Sequence, residues 1–282
     1  MITKSWGPEF VNALNRGDWG EAIKIKNASL PEKIYKYFPL FDEKRKDYLD
    51  RNAEKLESLI NQKIWVSSPE ELNDPFEMKV LTLDTKRIAK DGGDVDLYQR
   101  ILDLFTKKIQ LCCFSNSSRK RLPLWAHYAN NHQGFCIEYG IKNKDPLFPV
   151  RYSSQRIISR TIVTNLCNAF LNGYQSNKKL DSEFWHYYQI LFLTFCTKSS
   201  DWQYEHEFRF IDSNRKPNSP GELLPLFSSG LTISKIFLGI KCSAQNEKEL
   251  VRIGKILNIP VYKMRIVDYS KYFSLRPFLV KE

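Results

Sequence analysis

"DWQYEHEFRFI", residues 201–211, decides how the chain is read. From Tyr204 onward the residues alternate, so 204–211 is expected to be a strand. Tyr204, His206, Phe208 and Phe210 then share one face, and Glu205, Glu207 and Arg209 the other. The aromatic face calls for a core, which makes this an interior strand. The opposite face sets two acids beside an arginine. Such a row is either a solvated face with a surface ion pair or an acidic pair balanced by arginine and aimed at a developing positive charge.

The stretches around it supply its neighbours. "LWAHYANNHQGFCIEYG" (124–140) reads as a short helix ending at Gly134, followed by a strand. Trp125 and Tyr128 are three apart and face the core. His127 is either a hydrogen-bonded core histidine or a donor or general acid toward a ligand. "IQLCCFS" (109–115) is a buried strand. "KIYKYF" (33–38) is a short strand with Tyr35 and Tyr37 on one face and Lys36 on the other. "KIWVS" is another, and "SSPEELNDPFE" (67–77) follows it. There Ser68, Pro69 and Glu71 form a helix start with a capping box, and Asn73-Asp74-Pro75 stops it. Asn73, Asp74 and Glu77 are displayed near the strand end, as part of a site or as ordinary Asx-turns.

Helices are expected over 44–61, 94–108, 156–174, 181–197 and "NEKELVRIGKIL", with strands in "FPVRYS", "SKIFLGI" and "PVYKMRIV". Strict βαβ alternation is absent, so the expected fold is α+β. Residues 1–30 form a helical N-terminal extension, and 31–282 a single mixed domain with a helical insertion.

With 282 residues, 42% hydrophobic and 13% aromatic, the chain can bury a sizeable core. No window approaches the length of an apolar membrane span, and "MITKSWGPEF" has no signal core. The six cysteines sit in hydrophobic runs and read as buried thiols. A cytoplasmic location without membrane contact is therefore expected. The first hundred residues are nearly neutral, and the rest carries the whole +11 excess. That basic C-terminal two-thirds can attract nucleic acid or a phosphorylated ligand. His127 and His132 are five apart and Cys112-Cys113 are adjacent, so no metal is expected. Phosphate-loop and dinucleotide glycine motifs are absent from the sequence.

In order along the chain, "IYKYF", "IWVSSPEELNDPFE", "LCCFS", "LWAHYANNHQGFCIEY", "KSSDWQYEHEFRFI", "KIFLGIKC" and "IPVYKMRI" resemble the bacterial domain-of-unknown-function family 2971 over about residues 33–273. That family name implies no activity. The layout is also similar, more distantly, to ADP-ribosyltransferases. This second resemblance implies two small sheets forming a cleft for NAD as substrate, with a polar residue on an early strand, a serine on a middle strand and an essential glutamate on a late one. The matching positions are Lys36, Ser67 or Ser115, and Glu207 or Glu205. Tyr35, Tyr37, Trp125 and Tyr128 would supply aromatic contacts to the nicotinamide. Arg209 or Lys36 would meet the pyrophosphate, His127 would act on the ligand, and Asn73, Asp74 and Glu77 would brace the site. Lys36 departs from the arginine or histidine usual in the first slot. The implied activity is an ADP-ribosyltransferase-like enzyme or NAD hydrolase, in a toxin or defence setting. Two alternatives stand beside it. One is a metal-dependent nuclease using Asp74, Glu77, Glu205 and Glu207, although "EHEFR" lacks the lysine of the common nuclease strand. The other is a non-catalytic module sensing a nucleotide or peptide.

Overall fold

The computed structural model describes residues 6–116, 122–176, 179–216, 218–268, 271 and 273–280. In chain order the helices are α1 (Trp6–Asn15), α2 (Trp19–Ala28), α3 (Tyr48–Ile60), α4 (Thr85–Lys90), α5 (Val95–Thr106), α6 (Leu122–Tyr128), α7 (Thr161–Gln175), α8 (Ser182–Phe195) and α9 (Ala244–Leu257). The strands are β1 (Lys33–Phe38), β2 (Lys63–Ser67), β3 (Leu81–Leu83), β4 (Gln110–Ser115), β5 (Phe135–Ile141), β6 (Leu147–Pro149), β7 (Arg151–Ser153), β8 (Ile157–Ser159), β9 (Thr197–Ser199), β10 (Glu207–Asp212), β11 (Gly221–Pro225), β12 (Leu231–Leu238), β13 (Val261–Ile266) and β14 (Leu275–Leu279). Several helices start on an Asp or Ser whose side chain accepts from a first-turn N–H, as at Asp18, Asp94, Asp181 and Ser243.

The mixed α+β architecture expected from the sequence is the one observed. Most strands join one sheet in the order β11-β2-β4-β1-β5-β12-β13-β14, while β10 pairs with β4 and β6. β10 runs along the full length of β4, Glu207 opposite Ser115 and Asp212 opposite Gln110. That occupies one edge of β4. β1 and β2 must share the other edge, and each touches it at one point only: Tyr35 opposite Ser115, and Ser67 opposite Leu111. The two small sheets are thus halves of one sheet, joined through β4 and parted between β1 and β2. Two parallel ribbons, β3–β8 and β7–β9, lie outside it.

The core is layered about β10. Ile211 packs with α1, α5, α7 and α8 residues such as Phe10, Ile101, Leu166 and Phe195. Phe208 and Phe210 pack on the opposite side with Ile34, Val66, Leu147 and Leu250. A third cluster holds Tyr35, Tyr37, Trp125 and Phe237. The N-terminal helices pack into the first cluster through Trp6, Phe10, Ala13 and Leu14. Lys26 is fully buried and donates to the carbonyls of Lys144 (2.7 Å), Asp145 (2.8 Å) and Leu147 (3.0 Å). Lys144 answers by donating to the carbonyls of Asn27 and Leu30 at the end of α2.

Several local expectations need correction. The 204–211 strand begins only at Glu207. Ser200–Glu205 is a 3₁₀ turn, closed by the His206 N–H on the Gln203 carbonyl, and His206 is left-handed at φ 45°. That twist removes Tyr204 and His206 from the Phe208/Phe210 face. The helix expected from 156 starts at Thr161, because Ile157–Ser159 pair with Leu81–Leu83. The capping box at 68–71 does not form: Pro69–Glu71 is a single 3₁₀ turn with no side-chain cap from Ser68. α6 ends at Tyr128, and Asn130, Asn131 and His132 make the turn with left-handed φ of 45°, 51° and 72°. Gly134 is therefore no C-cap. It is required because a Cβ there would lie 2.0 Å from the Phe38 carbonyl oxygen. β11 and β14 were not anticipated. No described helix is long and apolar enough to cross a membrane.

Candidate functional site

The parting of β1 from β2 leaves β4 without a ladder partner between Leu111 and Ser115. The carbonyl of Cys113 in this gap accepts from the Lys36 ammonium at 3.2 Å. A cavity of about 230 Å³ opens there. β1 contributes Tyr35, Lys36 and Tyr37, and β4 contributes Leu111, Cys113, Phe114 and Ser115. β2 and the turn after it add Ser67, Glu71, Leu72 and Asn73, and α6 adds Leu124 and Tyr128. Lys198, Glu205 and Glu207 complete the lining. A larger concavity, about 660 Å³, lies between α3 and α9, where Leu49, Ala53, Leu56 and Ile60 of α3 meet Val251 of α9. It holds no cluster of buried ionised groups, so the smaller cavity is the candidate site.

Behind and within that cavity runs a chain of buried charges. Glu77 accepts from both Arg209 NH groups, at 2.6 and 2.9 Å. Arg209 Nε donates to Glu207 at 2.7 Å, and its guanidinium also reaches the Phe195 carbonyl. The Lys198 ammonium donates to Glu207 (3.0 Å) and to Glu205 (2.6 Å). The Tyr128 hydroxyl closes the chain by donating to Glu205. Each charge is thus met by an opposite one, as burial demands. The β7–β9 ribbon delivers two of these groups. Lys198 pairs in register with Tyr152, whose hydroxyl accepts from the Glu207 N–H at 2.8 Å. Trp202, from the 3₁₀ turn, lies 4.7 Å from the Lys198 ammonium.

The two glutamates end up with different proton affinities. Burial would raise Glu207, but the Arg209 and Lys198 charges outweigh it and hold its carboxyl at about 2. For Glu205 burial wins over Lys198 and Tyr128, and its carboxyl rises above the ordinary value. Burial also works against the Lys198 charge, yet Glu207 and Glu205 together push that ammonium well upward. The Tyr128 phenol is pushed up by burial and by the adjoining Glu205 charge. Burial keeps the Cys113 thiol far above its usual range, so it is no nucleophile.

Of the residues picked out from sequence, Tyr35, Lys36, Tyr37, Ser67, Asn73, Ser115, Tyr128, Glu205 and Glu207 line this one cavity. The others stand elsewhere. Trp125 is fully buried one layer behind, edge-on to Tyr37 at 5.1 Å. His127 is exposed and leans on Tyr204 at 6.2 Å. Arg209 is fully buried and consumed by carboxylates, so it cannot also meet a pyrophosphate. Asp74 folds back in an Asx-turn, its Oδ1 accepting from the Phe76 N–H at 2.9 Å. Glu77 braces Arg209 rather than facing the cavity. Lys198 and Tyr152 were missed. "FCTKSS" and "VRYSS" have no spacing that marks either, because each sits on a strand of three residues.

No curated protein and no solved structure matches the chain. A family model described as "Protein of unknown function (DUF2971)" matches residues 124–210. Those residues run from α6 into β10 and include Tyr128, Tyr152, Lys198, Glu205, Glu207 and Arg209. The stretch that supplies most of the buried charge chain thus belongs to the DUF2971 family.

Proposed function

We propose that the chain is an ADP-ribosyltransferase-like enzyme or NAD hydrolase, which breaks the N-glycosidic bond between nicotinamide and ribose. One observation carries this reading. The chain Glu77–Arg209–Glu207–Lys198–Glu205 sets three carboxylates against two cations, and its surplus negative charge sits at the gap between β1 and β2. As nicotinamide leaves, the ribose becomes oxocarbenium-like. A fixed carboxylate in a largely dry cleft stabilises that charge without reorganising. Glu207, ionised at any physiological pH, suits this task. Tyr35, Tyr37 and Tyr128 offer flat apolar walls for a ring. With Arg209 consumed, Lys36 is the cation lining the cavity that has no described carboxylate partner to compete with a phosphate. The cavity volume suits the nicotinamide–ribose end of a dinucleotide, with the remainder lying across the open mouth.

The nuclease arrangement is less favoured. Asp74 folds onto its own backbone and Glu77 lies on the far side of Arg209, so the four acids do not converge. The test is nicotinamide release from NAD, with and without EDTA, by wild type, Glu207→Gln and Glu205→Gln. Loss of the Glu207 charge is expected to cost about 3–4 kcal/mol, a hundredfold or more in rate. NAD binding should change far less. Full release by both variants, or release that requires added metal, would overturn the proposal. No release by wild type, with NAD still bound, would mark a binding module instead.

A further inference from the structure

We propose that Lys198 is the positioning residue that gives the two glutamates different tasks, keeping Glu207 as a permanent anion and leaving Glu205 free to take a proton from the incoming nucleophile. This rests on the NAD reading and adds to it a proton-transfer step and the residue that controls it.

Two carboxylates this close would ordinarily share one proton, because both cannot stay ionised without compensation. Here one ammonium lies between them, 2.6 Å from Glu205 and 3.0 Å from Glu207. Its position is fixed from outside the main sheet. Lys198 comes from β9, which is held to β7 in register, and Tyr152 of β7 is itself anchored on the Glu207 N–H. The remaining neighbours are asymmetric. Glu207 has the Arg209 guanidinium, while Glu205 has only the Tyr128 hydroxyl. Lys36 on β1 and Cys113 on β4 line the same cavity, but neither makes an ion pair with Glu205 among the described residues. One doubly held carboxylate and one singly held carboxylate are the arrangement that separates a fixed charge from a working base. The acceptor is accordingly an O–H nucleophile, water or a hydroxyl. The C1′–N bond to nicotinamide breaks and its electron pair leaves with the ring. A C1′–O bond forms, and the acceptor's proton passes to Glu205 and then to solvent.

Carboxyl titration by NMR tests Lys198 without requiring turnover, so it is independent of the NAD reading. In wild type, Glu207 should titrate near 2 and Glu205 above the ordinary glutamate value. Lys198→Met should raise both midpoints by about one to three pH units, whereas Lys198→Arg should keep them apart. Movement below about half a unit in Lys198→Met would overturn the proposal. If that variant fails to fold, ¹⁵N titration of the Lys198 ammonium in wild type decides. It should stay charged past the ordinary lysine range, and a midpoint at or below that range would refute the bridging role. In the rate assay, the acid limb of the pH profile should move with Glu205. Absence of nicotinamide release by wild type would sink the NAD reading while leaving the titration to judge Lys198.

Discussion

Replacing Arg209 by methionine should be among the most damaging single changes in this protein, and the structure says by how much. The methionine fills a similar volume but strands two buried carboxylates, Glu77 and Glu207, and leaves the Phe195 carbonyl without this donor. The Glu207 carboxyl is held at about 2 against an ordinary 4.5, with Arg209 the larger favourable influence and Lys198 the next. At about 1.4 kcal/mol per pH unit, that depression alone is worth about 3 kcal/mol. Glu77, bound bidentately, adds to it, so a total of about 3–5 kcal/mol is expected at pH 7. The assay is urea unfolding of wild type and Arg209→Met at pH 7 and pH 4. In the variant nothing but Lys198 holds Glu207 ionised, so it takes up a proton at a higher pH than in wild type. The gap in stability should therefore narrow on acidification. The triple variant Glu77→Gln, Arg209→Met, Glu207→Gln should recover much of the loss, because no charge is left unpaired across Arg209. A cost below about 1 kcal/mol, or one that is the same at both pH values, would refute the charge-chain argument.

The remaining predictions draw on the same geometry. The depressed Glu207 carboxyl stabilises the wild type fully above its unfolded value of 4.5, and about 3 kcal/mol should drain away as pH falls from there toward 2, read as a falling urea midpoint. Glu205 works the other way: its raised carboxyl favours the folded state below the unfolded value and loses that contribution as pH climbs through the folded one, so Glu205→Gln should flatten the neutral side of the stability profile. Tyr152→Phe removes the acceptor of the Glu207 N–H and should cost about 1–3 kcal/mol in thermal or urea unfolding. Lys36→Met should raise KM for NAD more than it lowers kcat if the ammonium meets a phosphate, and an unchanged KM would exclude that contact. Gly134→Ala should lose at least about 2 kcal/mol, because the added carbon meets backbone rather than a side chain that can swing away.

The elements legible in the sequence were those with a clear period. β1, β2, β4, β5 and β12 carry apolar runs or alternation, and α5, α8 and α9 carry helical spacing with capping residues. The short strands were not legible. β11 is bounded by Gly221 and Pro225, and β14 contains Pro277, so each reads as a loop until its partner strand is seen. The alternation through Tyr204 and His206 misled for a related reason. A left-handed His206 has no local signal in "YEHEF", and only the turn against Gln203 requires it. In the site, the paired glutamates and tyrosines stood out because their types are unusual on a buried strand. Arg209 stood out too, but its task was misread. Sequence spacing sets it beside Glu207, whereas Glu77, more than a hundred residues earlier, is what makes it a brace. Lys198 had no local signal at all, since its importance comes from the length of its side chain and the register of a two-stranded ribbon.

The paired lysine contacts at the N-terminal helices bear on how the chain can be shortened. A version starting at β1 would lack Lys26, and the carbonyls of Lys144, Asp145 and Leu147 would lose their donor, each costing about 1–3 kcal/mol if left dry. It would also bare the ring of Phe148, which the Lys26 ammonium covers at 4.7 Å. Phe148 lies on β6, and β6 is the far-side neighbour of Phe208–Phe210 in β10. Trimming the first thirty residues would therefore slacken the strand bearing Glu207 and Arg209 from behind. An inert truncation would then report a loosened backstop rather than a lost ligand contact, and a shortened chain meant for assay has to keep Lys26 in place.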